Sequence, residues 1–319
     1  MRHDRTLRDE CEHGGEVLVP AAPEVRGAEA AAAPEVATAS WTSTAREDAC
    51  VQLPRPVDGV ATYTAYRAAT PPDGDGRLEA ACWGTAPRSP RFVNLVSGAG
   101  TALDTRAAIL WDDEHLHIGF WLEQPQVRAT LTERDAHIWL DDDVEVFIAG
   151  ADAYYELEVN AFGTVYEVLF VWDDAYPAGG YDRIPELRRD HPQAASFDGV
   201  GFPGHPRGPR TGFWGYDLPG LRTAVHVDGA INDDRVRDRG WRVEIAVPWA
   251  GLEVLAAADG RALPPRDGDE WRIALSRFNT HRSSPDDSGG WAWSPHGVWD
   301  SHIPELFPRI RFSTEPAPY

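Results

Sequence analysis

Between Trp139 and Asn160 the chain places an indole, three consecutive aspartates (Asp141, Asp142 and Asp143), the carboxylates Glu145, Glu156 and Glu158, and the amide of Asn160. An indole is a flat apolar plate, while carboxylates and amides are fixed hydrogen-bonding groups. Together they suit a small polar ligand with one apolar face and hydroxyls around its edge. The three aspartates also have the chemistry of hard oxygen ligands for calcium, as do Asp112, Asp113 and Glu114. Neither run has the Asp-x-Asp-x-Asp-Gly form of a calcium loop, and acidic turns are usually just solvated.

The elements that must position these groups follow from alternation. Val144, Val146 and Ile148 fall on one face of a β-branched strand, and Glu145 and Phe147 fall on the other. Over residues 154–160, Tyr155, Leu157 and Val159 share one face and Glu156, Glu158 and Asn160 share the opposite one. With the valines toward the core, Glu145 joins Glu156, Glu158 and Asn160 on the outer face of two neighbouring strands. Such a face is either solvated or a surface for sugar hydroxyls.

Further strands are expected at 51–53, 62–66, 105–111, 116–122, 164–172, 224–227, 241–247, 271–278 and 309–312, separated by frequent turns. Residues 78–83 and 91–96 are expected to wrap a sheet edge. Many short alternating strands with almost no helical periodicity give an all-β fold, an antiparallel β-sandwich or jelly roll. Residues 1–48, rich in Ala, Pro and Glu over 21–39, read as a disordered N-terminal segment; residues 49–319 read as the sandwich. Residues 173–224 are dominated by Gly, Pro, Asp and Arg and read as a long irregular loop insertion. A loop of that length usually has a function or is mobile, and Tyr176, Tyr181, Phe213, Trp214 and Tyr216 are many aromatics for a linker.

Thirteen tryptophans exceed what packing alone needs, so some are expected at a surface or in a site. A net charge of −21 argues against nucleic acid and against anionic membranes. Cys11, Cys50 and Cys82 are scattered and have no zinc-like spacing. No apolar run is long enough to span a bilayer, and the N-terminus lacks the apolar core of a secretory signal. The sequence as written therefore reads as cytoplasmic, or secreted if its start codon is misplaced.

The stretch from Trp139 to Ile148 resembles the family 9 carbohydrate-binding modules, β-sandwich domains attached to bacterial xylanases and found in stand-alone family 9-like proteins. Those carry a Trp, a short acidic linker and a Val-Glu-Val/Ile-Phe strand. The resemblance continues in order through 111–121, 154–160, the Trp241 strand ending at Pro248 and Trp249, the Trp-Ser-Pro at 293–295, Trp299, and 302–307. It implies a non-catalytic protein that binds a mono- or oligosaccharide, a role that belongs to polysaccharide and carbohydrate catabolism. It implies no required cofactor, but family modules can carry structural calcium, which would fall here to Asp141, Asp142 and Asp143. In the family two tryptophans sandwich a sugar ring, while a strand glutamate and an asparagine on the next strand bond its hydroxyls. The matching positions are Trp139, Trp299, Glu145 and Asn160, with Trp291, Trp293 and His302 as further candidates for the C-terminal role. Glu158 stands where the family has an arginine, and exchanging a five-donor fork for an acceptor alters the hydroxyl pattern that can be read.

Two other classes stay open on the residues alone. One is a sugar-active enzyme, a glycoside hydrolase acting on O-glycosyl bonds or a lyase, with 173–224 as a lid bearing Asp173, Asp174, Asp182 and Glu186. Glycosidases need two carboxyls across the scissile bond, and the acids that can be placed share one strand face. The other is a protein-interaction β-sandwich. No GxSxG, HExxH or P-loop is present. His115 and His117 read as a surface pair without an identifiable third metal ligand.

Overall fold

A computed structural model of the chain describes residues 52–54, 59–281 and 287–317. The expectation for residues 1–48 lies outside them. The strands are β1 (Thr62–Arg67), β2 (Val93–Asn94), β3 (Thr105–Trp111), β4 (His115–Glu123), β5 (Asp143–Ala149), β6 (Ala153–Asn160) and β7 (Val165–Trp172). They continue with β8 (Ala194–Phe197), β9 (Arg210–Phe213), β10 (Arg222–Asp228), β11 (Gly240–Pro248), β12 (Glu270–Phe278), β13 (Gly290–Ala292) and β14 (Arg309–Ser313). Among the described residues helix is confined to single turns and to two short segments, α1 (Ala81–Thr85) and α2 (Glu253–Ala256). Among the described residues no helix is long and apolar enough to cross a membrane.

Twelve of these strands form one hydrogen-bonded path, β10-β11-β4-β3-β1-β14-β12-β5-β6-β7-β9-β8, and β13 pairs with β12 and with β2 beside it. Its two arms share one apolar core. Val144, Val146 and Ile148 of β5 and Tyr155, Leu157 and Val159 of β6 meet Ile109 of β3, Ile118 and Phe120 of β4, and Val243 and Ile245 of β11. Burying a branched aliphatic side chain of this kind contributes about 1.5–3 kcal/mol, so the alternation read from the sequence is also what holds the arms together. The joint between the arms is where the antiparallel rule lapses: β1 runs parallel to both β14 and β3. Segments far apart in sequence can pair parallel because no tight hairpin has to join them.

Three expectations are revised. Residues 52–54 are not in a strand. Residues 81–85 form α1 rather than a strand-edge wrap, and its Trp83 is buried with its indole N–H donated to Glu244 at 3.1 Å. The insertion is not wholly irregular either. It contains β8 and β9, and β9 pairs with β7 to extend the sheet. Four residues are too few to display a period, and Gly212 interrupts the one in β9. Residues 201–209 do lack regular structure, as read.

Candidate functional site

The outer face of β5 and β6 is not solvated. Glu145 is paired directly opposite Glu158, Phe147 opposite Glu156, and Asp143 opposite Asn160, and every residue of both strands is buried. What covers this face comes from elsewhere in the chain and leaves a cleft of about 420 Å³, within the range of small-ligand pockets, roughly 300–1,000 Å³. Glu145, Glu156 and Glu158 form its floor. Trp139, Tyr166 and Phe170 line one side; Phe197, Val200 and Trp214 of the insertion line another. Phe278 of β12 and the run Trp299 to His302 complete the wall.

The two expected tryptophans are both in this cleft and both keep solvent-facing surface, 43% exposed for Trp139 and 38% for Trp299. Trp139 sits on a 3-10 turn (Ile138–Leu140), stacked on His137 at 4.5 Å and meeting Tyr166 edge-on at 5.1 Å. Trp299 meets Phe278 edge-on at 5.1 Å and lies over Gly290, where a Cβ would stand 2.8 Å from the indole ring. Trp291 and Trp293 are buried in the core and do not reach the cleft. Trp291 donates its indole N–H to Asp287 at 2.8 Å.

Asn160 behaves differently from the expectation. Its amide nitrogen donates to the Leu131 carbonyl at 2.8 Å and to Asp141 at 3.0 Å, and its oxygen accepts from the N–H groups of Phe162 and Thr164. A side chain with its donors and acceptor so engaged fastens the β6–β7 turn, which closes through Gly163 at φ +80°. It does not line the cleft.

The three aspartates diverge rather than surround one point. Asp141 accepts from Thr130, Leu131 and Asn160, and although burial pushes its carboxyl up, these donors hold it below the usual carboxylate range. Asp142 accepts from Gln124 and from the backbone and hydroxyl of Thr280. Only Asp143 lies beside Glu145 and Glu158 of the cleft floor, without lining the cleft itself. There, one oxygen each from Asp143, Glu145 and Glu158 lie within 4.8 Å of one another. The aspartate run is therefore not a calcium loop. The turn at 112–114 fares no better: Asp113 pairs with Arg67 and Glu114 is solvent-facing. Asp112 instead accepts from the N–H groups of Glu114 and His115 and bonds the ring of His117 at 2.8 Å. It thus supplies the third group beside His115 and His117 that spacing did not reveal, and His117 is buried rather than at the surface.

Electrostatics on the floor are governed by burial. Burial pushes the Glu145 carboxyl up to about 8, against the hydrogen bond from Ser276. Burial, then neighbouring carboxylates, push Asp143, Glu156 and Glu158 well above the usual range. A carboxyl kept neutral near pH 7 is both donor and acceptor, the same pairing capacity that a sugar hydroxyl has. His302 is bonded to the Tyr154 hydroxyl at 3.2 Å and ringed by Phe147, Phe170 and Phe197. Burial drives its imidazole down to about 3.

Asp300 was not anticipated. One of its oxygens accepts the N–H groups of Val200, Gly201 and Phe202, and the other accepts that of His302. It ties the insertion to the tryptophan-bearing segment. Two of the insertion's acids that a lid might have used are paired elsewhere, Asp173 with Arg189 and Thr211 and Asp174 with Arg207, and neither Asp182 nor Glu186 lines the cleft. Tyr166, Phe170, Phe197, Trp214 and Phe278 were not anticipated either; the aromatic richness of the insertion was the one available signal.

Residues 75–170 match the family described as carbohydrate family 9 binding domain-like. Over that stretch the chain is similar to this family, in agreement with its motifs. No curated protein matches the chain. Similar solved structures include a protein of Bacteroides uniformis, with 13% identity over 80% of this chain and 100% of that one and a TM-score of 0.49. A family 9 carbohydrate-binding module of Caldicellulosiruptor kristjanssonii in complex with cellotriose has 14% identity over 79% and 95% of the two chains, with a TM-score of 0.43. The glucose complex of a family 9 module from the same organism has 12% identity over 81% and 99%, with a TM-score of 0.42.

Proposed function

We propose that the cleft binds a mono- or oligosaccharide without turning it over. The observation that carries this reading is the placement of two half-exposed indoles, Trp139 and Trp299, on one cleft whose floor is three carboxyls. The indoles take the apolar C–H faces of a pyranose ring. Glu145, Glu156 and Glu158 take hydroxyls at its edge, with the Tyr166 hydroxyl and the His302 ring within the same wall. Asn160 acts behind the site, through the turn that it holds.

Catalysis on a glycosidic bond needs a proton donor and a second carboxylate placed across the bond. Here the floor acids lie side by side on two strands, and the facing carboxylate, Asp300, is saturated by backbone N–H groups. A glycan array followed by titration calorimetry tests the reading. Binding that is lost in Trp139→Ala and in Trp299→Ala, with unchanged thermal midpoints, supports it. An array with no glycan above background, or binding indifferent to both substitutions, removes it.

A further inference from the structure

The floor of the cleft has a property that holding sugar hydroxyls does not require. Asp143 and Glu145 are two residues apart on β5 and so share a face, and Glu158 is paired opposite Glu145 on β6. Their oxygens, all within 4.8 Å of one another, span what one hard divalent cation spans: at metal–oxygen bonds of about 2.4 Å, ligands on opposite sides lie roughly 5 Å apart.

These three carboxyls accept no hydrogen bond from the guanidinium of Arg277 or of Arg210. Arg277 of β12 donates to the Thr105 hydroxyl, the Glu123 carbonyl and the Gln124 side chain. Arg210 donates to the His302 carbonyl and lies over the rings of Tyr154, Trp172 and Phe197. A second observation is independent of the clustering. Asp143 Oδ2 and Glu158 Oε2 are sealed from solvent and have no hydrogen-bond partner. Buried acceptors are nearly always satisfied, and an orphaned one weakens the fold. Two orphans in one cluster of three point to a ligand that only accepts lone pairs.

We propose that Asp143, Glu145 and Glu158 bind one hard divalent cation of the calcium class on the floor of the cleft. The donor set fits: it is all oxygen and all carboxylate, with neither imidazole nor thiolate among the three. Glu145 and Glu158 also line the cleft, so the remaining coordination positions open toward it, for water or for a hydroxyl of whatever occupies it. The corner formed by Asp112, His115 and His117 is the contrasting case. Its carboxylate and both imidazoles already have partners, His115 against the Arg222 guanidinium at 3.0 Å.

Terbium luminescence tests this without any sugar, so its outcome is independent of the carbohydrate reading. Trp139, Trp299 and Tyr166 line the same cleft and would sensitise a terbium ion bound at its floor. The expected result is indole-excited terbium emission that calcium displaces, together with a thermal midpoint higher in calcium than in EDTA. Both responses should weaken by roughly tenfold or more in ion affinity in Asp143→Asn and in Glu158→Gln, and persist in Asp112→Asn. Each variant is isosteric with the carboxyl that it replaces, and two variants guard against one failing to fold. Emission and midpoint shifts unchanged in both variants, or absent from the parent, overturn the proposal. Sugar affinity measured separately in EDTA and in calcium shows whether the ion takes part in that binding.

Discussion

The two faces of the β5–β6 hairpin make an instructive pair. They are made by the same residues in alternation, and both are fully buried. One face carries Val144, Val146, Leu157 and Val159 and is closed by the opposing arm of the sheet. The other carries Glu145, Glu156 and Glu158 and is closed by loops that leave room between them. Burial therefore does not distinguish the core from the site. What distinguishes them is the covering layer: close-packed aliphatics on one side, and on the other aromatic side chains that stand apart over groups left incompletely paired.

If that contrast is right, damage to the two faces should read out in different assays. The largest effect is expected on the core face. Leu157→Ala should lower unfolding free energy by about 2–5 kcal/mol, measured by denaturant titration, with the affinity of the folded fraction unchanged. An affinity loss matching the stability loss would mean the two faces are not separable. Next come the indoles. Trp139→Ala should weaken sugar binding by ~2 kcal/mol or more, roughly thirtyfold, with a thermal midpoint close to the parent's. A large fall in midpoint would move Trp139 into the core.

The histidine of the cleft gives a pH signature. His302 has a folded pKa near 3 against an ordinary value of 6.5. Its contribution to stability is therefore present above 6.5 and lost as pH falls below it, because the unfolded chain then takes up a proton that the folded chain refuses. Between pH 7.5 and pH 5 the parent should lose on the order of 2 kcal/mol more than His302→Gln. The raised carboxyls act in the opposite sense as pH changes but are common to both proteins, so the difference isolates the histidine. Equal losses would mean that His302 is protonated in the folded state.

The smallest effect sharpens the boundary between the faces. Asn160→Ala should destabilise by ~1–3 kcal/mol through the orphaned carbonyl of Leu131 and the freed turn N–H groups, while changing affinity little. A binding defect without a stability defect would return Asn160 to the cleft.

Much of this was legible in the sequence, for a reason that also marks its limit. A period of two tells which residues share a face, so residues 105–111 were bounded correctly as a strand, and Glu145 was placed with Glu156 and Glu158. It does not tell what stands above that face. The covering came from Phe197, Val200 and Trp214 in a segment whose strands are four residues long, too short for alternation to appear. The same limit explains Asn160 and the aspartate run. Residue type announced hydrogen-bonding capacity, but only three-dimensional neighbours such as Thr130, Gln124 and Thr280 decide where that capacity is spent. Trp299 could be chosen over Trp291 and Trp293 only once the latter two were seen to be packed in the core.

The clamp made by Asp300 has a consequence for how such a protein can diverge. One carboxylate joins the segment bearing Trp299 to a loop about a hundred residues earlier in the chain, and the fit is close: a Cβ on Gly201 would stand 2.1 Å from the Trp299 carbonyl oxygen. The Trp299 side of the cleft is thus held like the movable jaw of a wrench, with the carboxyl floor on the strands as the fixed side and the clamped loop as the screw. Insertions and deletions in that loop can widen or narrow the jaw while the strands, their register and the carboxyl floor stay as they are. Selection for a new ligand therefore has a place to act that does not endanger folding.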